Sequence, residues 1–371
     1  MIFSRGGGYF KAAWISEPLF CRMATVNLSS LSNSIKWTVS EGDRVKVVLA
    51  QEQTNEKPVS GEKALSDGAD IQGSAIPENV LQYERQLRKV QANQRSLASL
   101  TMEKHLKIVY EDENLIVTNK PAGVLCVPGI NDKPNLLDLV CQHCDLPKES
   151  ASSCIVHRLD MDTSGLVLFA KTEPALKNLQ AAFRDRRVDK HYQALLCGHL
   201  PKECKSGDIH LPLQRDHRHP PFMRIATPRS EAAAAQAVKD LRTHGFKKLV
   251  KKRPKPSHTE FSVIDREYFN HKLPVTRVGL VPHTGRTHQL RVHCAAMGYP
   301  ILGDPAYGLY GEANAQGGLD ESTFGASLDL QQQITKGRPP HENSMCLHAA
   351  TLSLRHPISG EKMTWEAPTP F

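Results

Sequence analysis

The chain has 371 residues, is 40% hydrophobic and 23% charged, and carries a formal net charge of +8 with a pI near 9.0. That is the composition of an ordinary soluble globular protein with room for two modest domains, and its positive excess favours an anionic partner, most commonly nucleic acid. No window offers the long apolar run of a membrane helix, and the nine cysteines lack a framework spacing, which points to free thiols in a reducing compartment.

Residues 1–25 carry Arg5, Lys11 and Arg22 against the single acid Glu17. This is faintly like an organelle transit peptide and equally like an unstructured start, so cytoplasm, nucleus and organelle all stay open. Lys36 to Leu49 reads as a hairpin, with alternating Val45, Val47 and Leu49 after a turn at Glu41-Gly42-Asp43. Residues 51–80 are polar and without period, which predicts a linker. From Glu78 to about Lys104, Leu81, Leu87, Val90 and Leu97 recur at roughly helical spacing, as in a solvated helix.

The main domain begins near Leu106. Ile108-Val109-Tyr110 and Leu115-Ile116-Val117 flank a turn and form a hairpin, which ends in the loop Asn119-Lys120-Pro121-Ala122-Gly123 with a lysine at its tip. Leu136 to Cys144 suits a helix. Cys154-Ile155-Val156 and Leu166 to Ala170 read as strands around a charged loop. Pro174 opens a helix with Leu176, Leu179, Ala182 and Phe183 as its buried stripe. Val188 to Gly198 returns as a strand, and Ser230 to about Thr243 reads as a helix capped by Ser230. Ser257 to Arg266 and Val275 to Val281 are predicted strands, and His288 to Met297 a helix. Residues 311–343 look like a Gly- and Gln-rich insertion, and Leu347 to Leu354 and Lys362 to Trp365 close the chain as strands. Many strands mixed with few helices, without regular alternation, predict an α+β fold with a largely antiparallel sheet.

Three pieces carry chemistry. The first is the loop His157-Arg158-Leu159-Asp160-Met161-Asp162, followed by the turn Thr163-Ser164-Gly165. Charges beside buried strands are costly unless paired or used. Asp160 is a candidate catalytic carboxylate, or else a partner of Arg158 or a turn cap; Asp162 competes with it. The second is Tyr192, which alone reads as half-buried packing. The third is Arg286 to His293, where Leu290 and Val292 anchor a helix and Arg291 can point at a buried carboxylate. His288 and His293 are five apart and do not share a face as metal ligands would. Cys141-Gln142-His143-Cys144 has CxxC spacing but no second pair, and Asp216-His217-Arg218-His219 reads as a polar loop.

Taken together, His157-Arg158-Leu159-Asp160 with Thr163-Ser164-Gly165-Leu166, Lys190 to Leu195, Thr284 to His293 and Ile301-Leu302-Gly303-Asp304 closely resemble the RluA-type pseudouridine synthases. The resemblance covers about Leu106 to Pro368, including Asn119 to Gly123 and Leu347-His348-Ala349. It implies an α+β catalytic domain around a mixed, mostly antiparallel sheet flanked by helices, and an isomerase that converts uridine to pseudouridine within tRNA or rRNA without a cofactor or metal. By the resemblance, Asp160 is the catalytic carboxylate, Arg291 its charge partner and Tyr192 the platform on which the flipped base stacks. Arg158, Lys120, His157 and Arg286 are the expected RNA contacts. The expected protein is monomeric, with no membrane partner.

The hairpin near residues 38–47 is similar to the last part of an S4 RNA-binding domain, truncated here. The expected organisation is therefore 1–50 as an S4-like remnant, 51–105 as a linker and 106–371 as the catalytic domain, with insertions near 218–256 and 311–343. The basic run Lys247 to Lys255 reads as a solvated loop, with RNA contact or nuclear targeting as alternatives. Two other classes compete: a non-enzymatic RNA-binding protein on the same fold, which loss of Asp160 or Tyr192 would favour, and a metal-dependent hydrolase using the histidines.

Overall fold

A computed structural model describes residues 35–40, 44–50, 100–128, 133–218, 222–240, 247–248, 250–308, 313, 315–319, 325–326, 328–336 and 344–371. The linker expected at 51–80, residues 1–25 and most of the helix expected from Glu78 lie outside these residues. So does much of 311–343.

A single large sheet of eleven strands organises the described residues. In chain order they are β1 (Ile35–Ser40), β2 (Arg44–Leu49), β3 (Ile108–Glu111), β4 (Leu115–Lys120), β5 (Ser164–Ala170), β6 (Asp189–Cys197), β7 (Ser206–His210), β10 (His258–Phe269), β11 (Leu273–Pro282), β12 (Leu347–Arg355) and β13 (Lys362–Glu366). A separate two-stranded ribbon holds β8 (Leu213–Arg215) and β9 (Met223–Ile225). The order across the sheet is β1-β2-β7-β10-β11-β6-β12-β5-β4-β3, with β13 beside β12. Only β2 with β7 and β12 with β5 pair in parallel; all other neighbours are antiparallel. This is the mixed, mostly antiparallel α+β fold the sequence predicts.

The helices are α1 (Met102–His105), α2 (Leu136–His143), α3 (Glu173–Arg184), α4 (Pro228–Asp240), α5 (Gln289–Ala296) and α6 (Leu328–Lys336). Strand β5 shows why the middle of the sheet is rigid. Successive side chains of a strand point to opposite faces. Leu166, Leu168 and Ala170 pack with Ala175, Leu179 and Ala182 of α3, while Val167 and Phe169 pack with Leu136, Leu137 and Val140 of α2. Both faces are covered, so all seven residues of β5 are buried. The loop that precedes β5 therefore leaves a fixed base.

Gly165 is required where β5 meets β12. Its backbone has φ +111°, and a Cβ there would collide with the Ala349 main chain. The expected strand at Cys154-Ile155-Val156 is instead the end of a short 3-10 helix, Lys148–Cys154, and one bridge from Ile155 to Phe169. β4 occupies one edge of β5 and β12 the start of the other, so only a single bridge is left for this segment. The helix predicted to be capped by Ser230 starts two residues earlier, at Pro228. Thr227 and Ser230 bond reciprocally across its first turn: Ser230 N–H donates to Thr227 Oγ1 at 3.1 Å and Thr227 N–H to Ser230 Oγ at 2.8 Å.

The N-terminal hairpin does not stand apart. Trp37, Val45 and Val47 are buried in the same core cluster as β6, β10 and β11. Arg44 bridges Asp208 at 2.9 Å and Glu260 at 3.0 Å, tying β2 to β7 and β10. Part of the 311–343 region also enters this core, through Leu319, Ala326 and Ile334.

Candidate active site

A cleft of about 740 Å³ opens where three loops meet. One wall is the segment Val156 to Asp160, a second is the turn from Phe183 to Lys190 with Tyr192 of β6, and the third is Val281 to Arg291. The sequence stretches singled out above thus converge from positions more than 100 residues apart.

Asp160 sits on the loop before β5. Thr163 N–H donates to the Asp160 carbonyl at 3.2 Å, and Gly123 N–H donates to the Met161 carbonyl at 2.9 Å. Lys120 Nζ donates to the same Met161 carbonyl at 2.8 Å, and to those of Val124 (2.8 Å) and Pro121 (2.9 Å). Lys120 is fully buried, and burial lowers its ammonium pKa to about 8. The lysine expected at a loop tip as a phosphate contact is therefore a brace beneath the Asp160 loop.

Arg291 enters from the first turn of α5, buried on all sides. Nε and Nη2 make a two-pronged bond to Asp304 at 2.9 and 2.7 Å, and Nη1 reaches Asp160 Oδ2 at 3.4 Å. Asp304 also accepts the N–H groups of Ala306 and Tyr307. Sequence reading brought Arg291 to Asp160 but left out Asp304, although its Gly303-Asp304 motif was in view. Burial alone would lower Arg291, but the charge of Asp304 and then that of Asp160 hold its pKa above the usual range.

Asp160 is held below the ordinary carboxylate range. Burial raises it, and the positive fields of His288 and then Arg291 more than offset that. Burial keeps His288 itself uncharged above about pH 4. At neutral pH the charge acting on Asp160 is therefore that of Arg291, with a smaller contribution from Arg158.

His288 adopts a left-handed backbone, φ 54° and ψ 22°, at the N-cap of α5, and its side chain does not cap that helix. For a residue other than glycine this costs of order 1–3 kcal/mol. The imidazole turns to Tyr307 Oη, 2.8 Å from Nδ1, and places Nε2 3.9 Å from Asp160 Oδ2.

Tyr192 is half-buried and packs against the two core clusters that meet at β6. Burial, and then the charge of Asp160, push its phenol above the ordinary tyrosine range. The group stays protonated at neutral pH and lines the cleft beside Asp160.

The remaining predicted contacts separate. Arg158 is exposed, lines the cleft, and makes no hydrogen bond or ion pair among the described residues. Arg286 lines the opposite wall, and among the described residues its guanidinium is engaged through Nε, on the Pro256 carbonyl at 3.2 Å. His157 differs from expectation: its Nε2 accepts the Leu168 N–H at 3.0 Å and its ring stacks on Phe183 at 4.5 Å. Burial, and then the nearby charge of Lys190, lower its pKa to about 3, so it is a neutral scaffold residue instead of a phosphate contact. Sequence reading missed three cations on the second wall: Arg184, paired with Asp185 at 3.1 Å, Arg186, exposed with φ 58°, and Lys190, whose ammonium lies over the Phe183 ring at 6.0 Å.

Outside the cleft, two groups among the described residues place three ligand-type atoms within 4.8 Å: Glu111, His143 and Cys144, and Asp208, His210 and His258. In the first, Lys171 and His143 already engage Glu111 at 2.7 and 2.8 Å. In the second, the two imidazoles are stacked, 4.1 Å between centroids and 15° between planes, so their in-plane lone pairs do not converge on one ion. No helix among the described residues is long and apolar enough to cross a membrane.

Residues 114–296 match the family model described as RNA pseudouridylate synthase. The dual-specificity RNA pseudouridine synthase RluA of Pasteurella multocida (strain Pm70) is 35% identical over 272 residues, which span 72% of this chain and 94% of that relative. The ribosomal large subunit pseudouridine synthase D of the same strain is 34% identical over 266 residues, 71% of this chain and 68% of that protein. Among solved structures, human RNA pseudouridylate synthase domain containing 1 superposes with a TM-score of 0.51 at 26% identity, over 74% of this chain and 87% of that one.

Proposed function

The chain belongs to the RluA-type RNA pseudouridine synthases and isomerises uridine in RNA to pseudouridine; we propose that it does so with Asp160 as the catalytic carboxylate, Arg291 as its charge partner and Tyr192 as the base platform, acting on tRNA or rRNA. The observation that carries this reading is the Asp160 carboxylate 3.4 Å from a buried guanidinium in a cleft that Tyr192 also lines.

The reaction breaks the C1′–N1 bond and forms a C1′–C5 bond. A proton leaves C5 and one is gained at N1, so atoms balance and no oxidation state changes. Breaking a glycosidic bond develops positive charge on the ribose, which a carboxylate stabilises or captures. Asp160 supplies it, and Arg291 keeps it ionised against its burial. The uridine must first leave its stack, at a few kcal/mol, and the Tyr192 ring replaces part of the lost stacking.

Arg158, Arg186 and Lys190 on one side and Arg286 on the other suit the phosphates that flank the flipped nucleotide. The names of the relatives, one a dual-specificity RNA enzyme and one acting on the large ribosomal subunit, support an RNA substrate and, through the second, ribosomal RNA. The catalytic unit on this reading is 106–371, working as a monomer, with the 35–49 hairpin added to its sheet edge.

The test uses transfer and ribosomal RNA labelled with tritium at uridine C5, since isomerisation releases that hydrogen to water. Wild-type protein should release tritium from one of the two, and Asp160→Asn should release none while still binding the RNA. Full release by Asp160→Asn would remove Asp160 from the mechanism. Mapping pseudouridine across all RNA with and without the protein identifies the position.

A further inference from the structure

We infer that His288 is a positioning residue: Tyr307 locks it with its proton on Nε2, and with Arg291 it holds Asp160 Oδ2 so that Oδ1 is the oxygen presented to the nucleoside. The inference rests on Asp160 carrying the chemistry.

The proton assignment follows from a chain of bonds. Met223 N–H donates to Tyr307 Oη at 2.9 Å, so the phenol oxygen is already accepting. Its own proton is then directed to the next partner, His288 Nδ1, at 2.8 Å. An imidazole that accepts at Nδ1 and is uncharged carries its proton on Nε2. That N–H lies 3.9 Å from Asp160 Oδ2, and Arg291 Nη1 lies 3.4 Å from the same oxygen. Oδ1 makes no hydrogen bond among the described residues. The two carboxylate oxygens are thus distinguished before any substrate arrives. Both donor distances are longer than a tight hydrogen bond, so the pair acts on Oδ2 chiefly through its charge and dipole.

Two further observations point the same way. The left-handed backbone of His288 would suit glycine, and the side chain caps nothing in its own helix. Tyr307 is fixed from three directions: Phe222 packs edge-on at 6.1 Å, Arg291 lies over the ring at 5.3 Å, and Met223 holds the hydroxyl. A residue kept in a strained conformation and aimed by a rigid partner at a carboxylate is arranged for that carboxylate.

The experiment compares His288→Leu, His288→Gln and Tyr307→Phe in the full chain by tritium release, with RNA affinity and thermal midpoint measured alongside. Leu keeps bulk without a donor, whereas Gln restores an N–H near the Nε2 position at the same backbone strain. Expected for Leu is a fall in kcat of roughly tenfold to a hundredfold with KM and RNA affinity unchanged, and for Gln recovery of most of it. Tyr307→Phe should fall between, because the ring stays but the proton assignment is lost. Wild-type kcat in His288→Leu, or equal losses in Leu and Gln, overturns the inference. If Asp160→Asn is fully active, the underlying reading fails; if Asp160→Asn is inactive and His288→Leu is normal, only this inference fails.

Discussion

Replacing Arg291 with Met separates its two roles. Its bidentate bond to Asp304 is fully enclosed, with both side chains under 5% exposed. Removing one member of such a pair strands a buried charge and costs about 3–5 kcal/mol of stability, a large share of the roughly 5–15 kcal/mol typical of a folded domain. Its effect on Asp160 is different. At 3.4 Å and an effective dielectric near 20, a unit charge pair is worth about 5 kcal/mol. Asp160 is 31% exposed, so solvent screening leaves roughly 1–2 kcal/mol, or about a 5- to 30-fold loss of activity on the acid limb of the pH profile and little at neutral pH. The sign is fixed. Asp160 lies below its ordinary value because positive charge outweighs burial, and His288 is uncharged above about pH 4. Without Arg291, burial is opposed only by the more distant charge of Arg158 and the carboxyl rises. The acid limb of the pH–rate profile then moves to higher pH, and raising the pH recovers part of the loss. Asp304→Asn is the control: it should lower the thermal midpoint comparably while leaving the limb in place, because the guanidinium remains. The assay is tritium release across pH, with melting curves for both variants. If Arg291→Met and Asp304→Asn give the same limb as wild type at matched stability, Arg291 is scaffold only and its pairing with Asp160 is incidental.

Three other outcomes are expected. Asp160→Asn should lower isomerisation roughly a thousandfold or more with RNA affinity nearly intact, read by tritium release beside filter binding. Tyr192→Phe should bind RNA as wild type, whereas Tyr192→Ala should lose about 1–3 kcal/mol of stacking; if both bind equally, the ring is no platform. The rate of the Phe variant reports separately on the phenol, and a wild-type rate excludes an essential proton role for it. Lys120→Met should lower the thermal midpoint, because the carbonyls of Pro121, Val124 and Met161 lose the ammonium that ties them together, yet leave the salt dependence of RNA binding unchanged. Arg158→Ala should instead reduce the slope of log affinity against log salt by about one. A reduced slope in Lys120→Met at an unchanged midpoint would return Lys120 to the RNA surface.

What the sequence made legible was whatever a strong local pattern dictated. Leu166 to Ala170 is apolar on both faces, and β5 is buried on both. The apolar period after Pro174 places Leu179 and Ala182 inward, as α3 does. Weak or competing patterns were misplaced. Cys154-Ile155-Val156 is strand-like in residue type, but whether it pairs depends on which edges of β5 are already taken, and that is decided by β12, nearly 200 residues later. Ser230 is a good cap by type, but Thr227, three residues before it, already holds that end of the helix. The hairpin at 35–49 was visible as a hairpin. Its docking on β7 was not, because parallel pairing with a distant edge strand leaves no local trace.

The site divides in the same way. Asp160, Tyr192 and Arg291 could be brought together only through the order and spacing of several motifs, and the cleft does collect them. Among the expected RNA contacts, residue type named the cations but could not tell a solvated cation from one that braces backbone. Lys120 and Arg158 are equally charged in sequence. Lys120 ends β4 between two covered faces, where its ammonium can only be satisfied by carbonyls, and it finds three. Arg158 sits one residue before buried Leu159, on the turn that faces the cleft, and stays exposed. His157, another residue back, is drawn under Phe183 and gives up its charge to do so. Along this loop, scaffold and solvent-facing roles alternate residue by residue. On the side of its own loop the carboxylate therefore rests on neutral or carbonyl-bound groups, with the Arg291–Asp304 pair facing it from α5, and the unpaired positive charge of Arg158 lies at the rim, where phosphate can reach it.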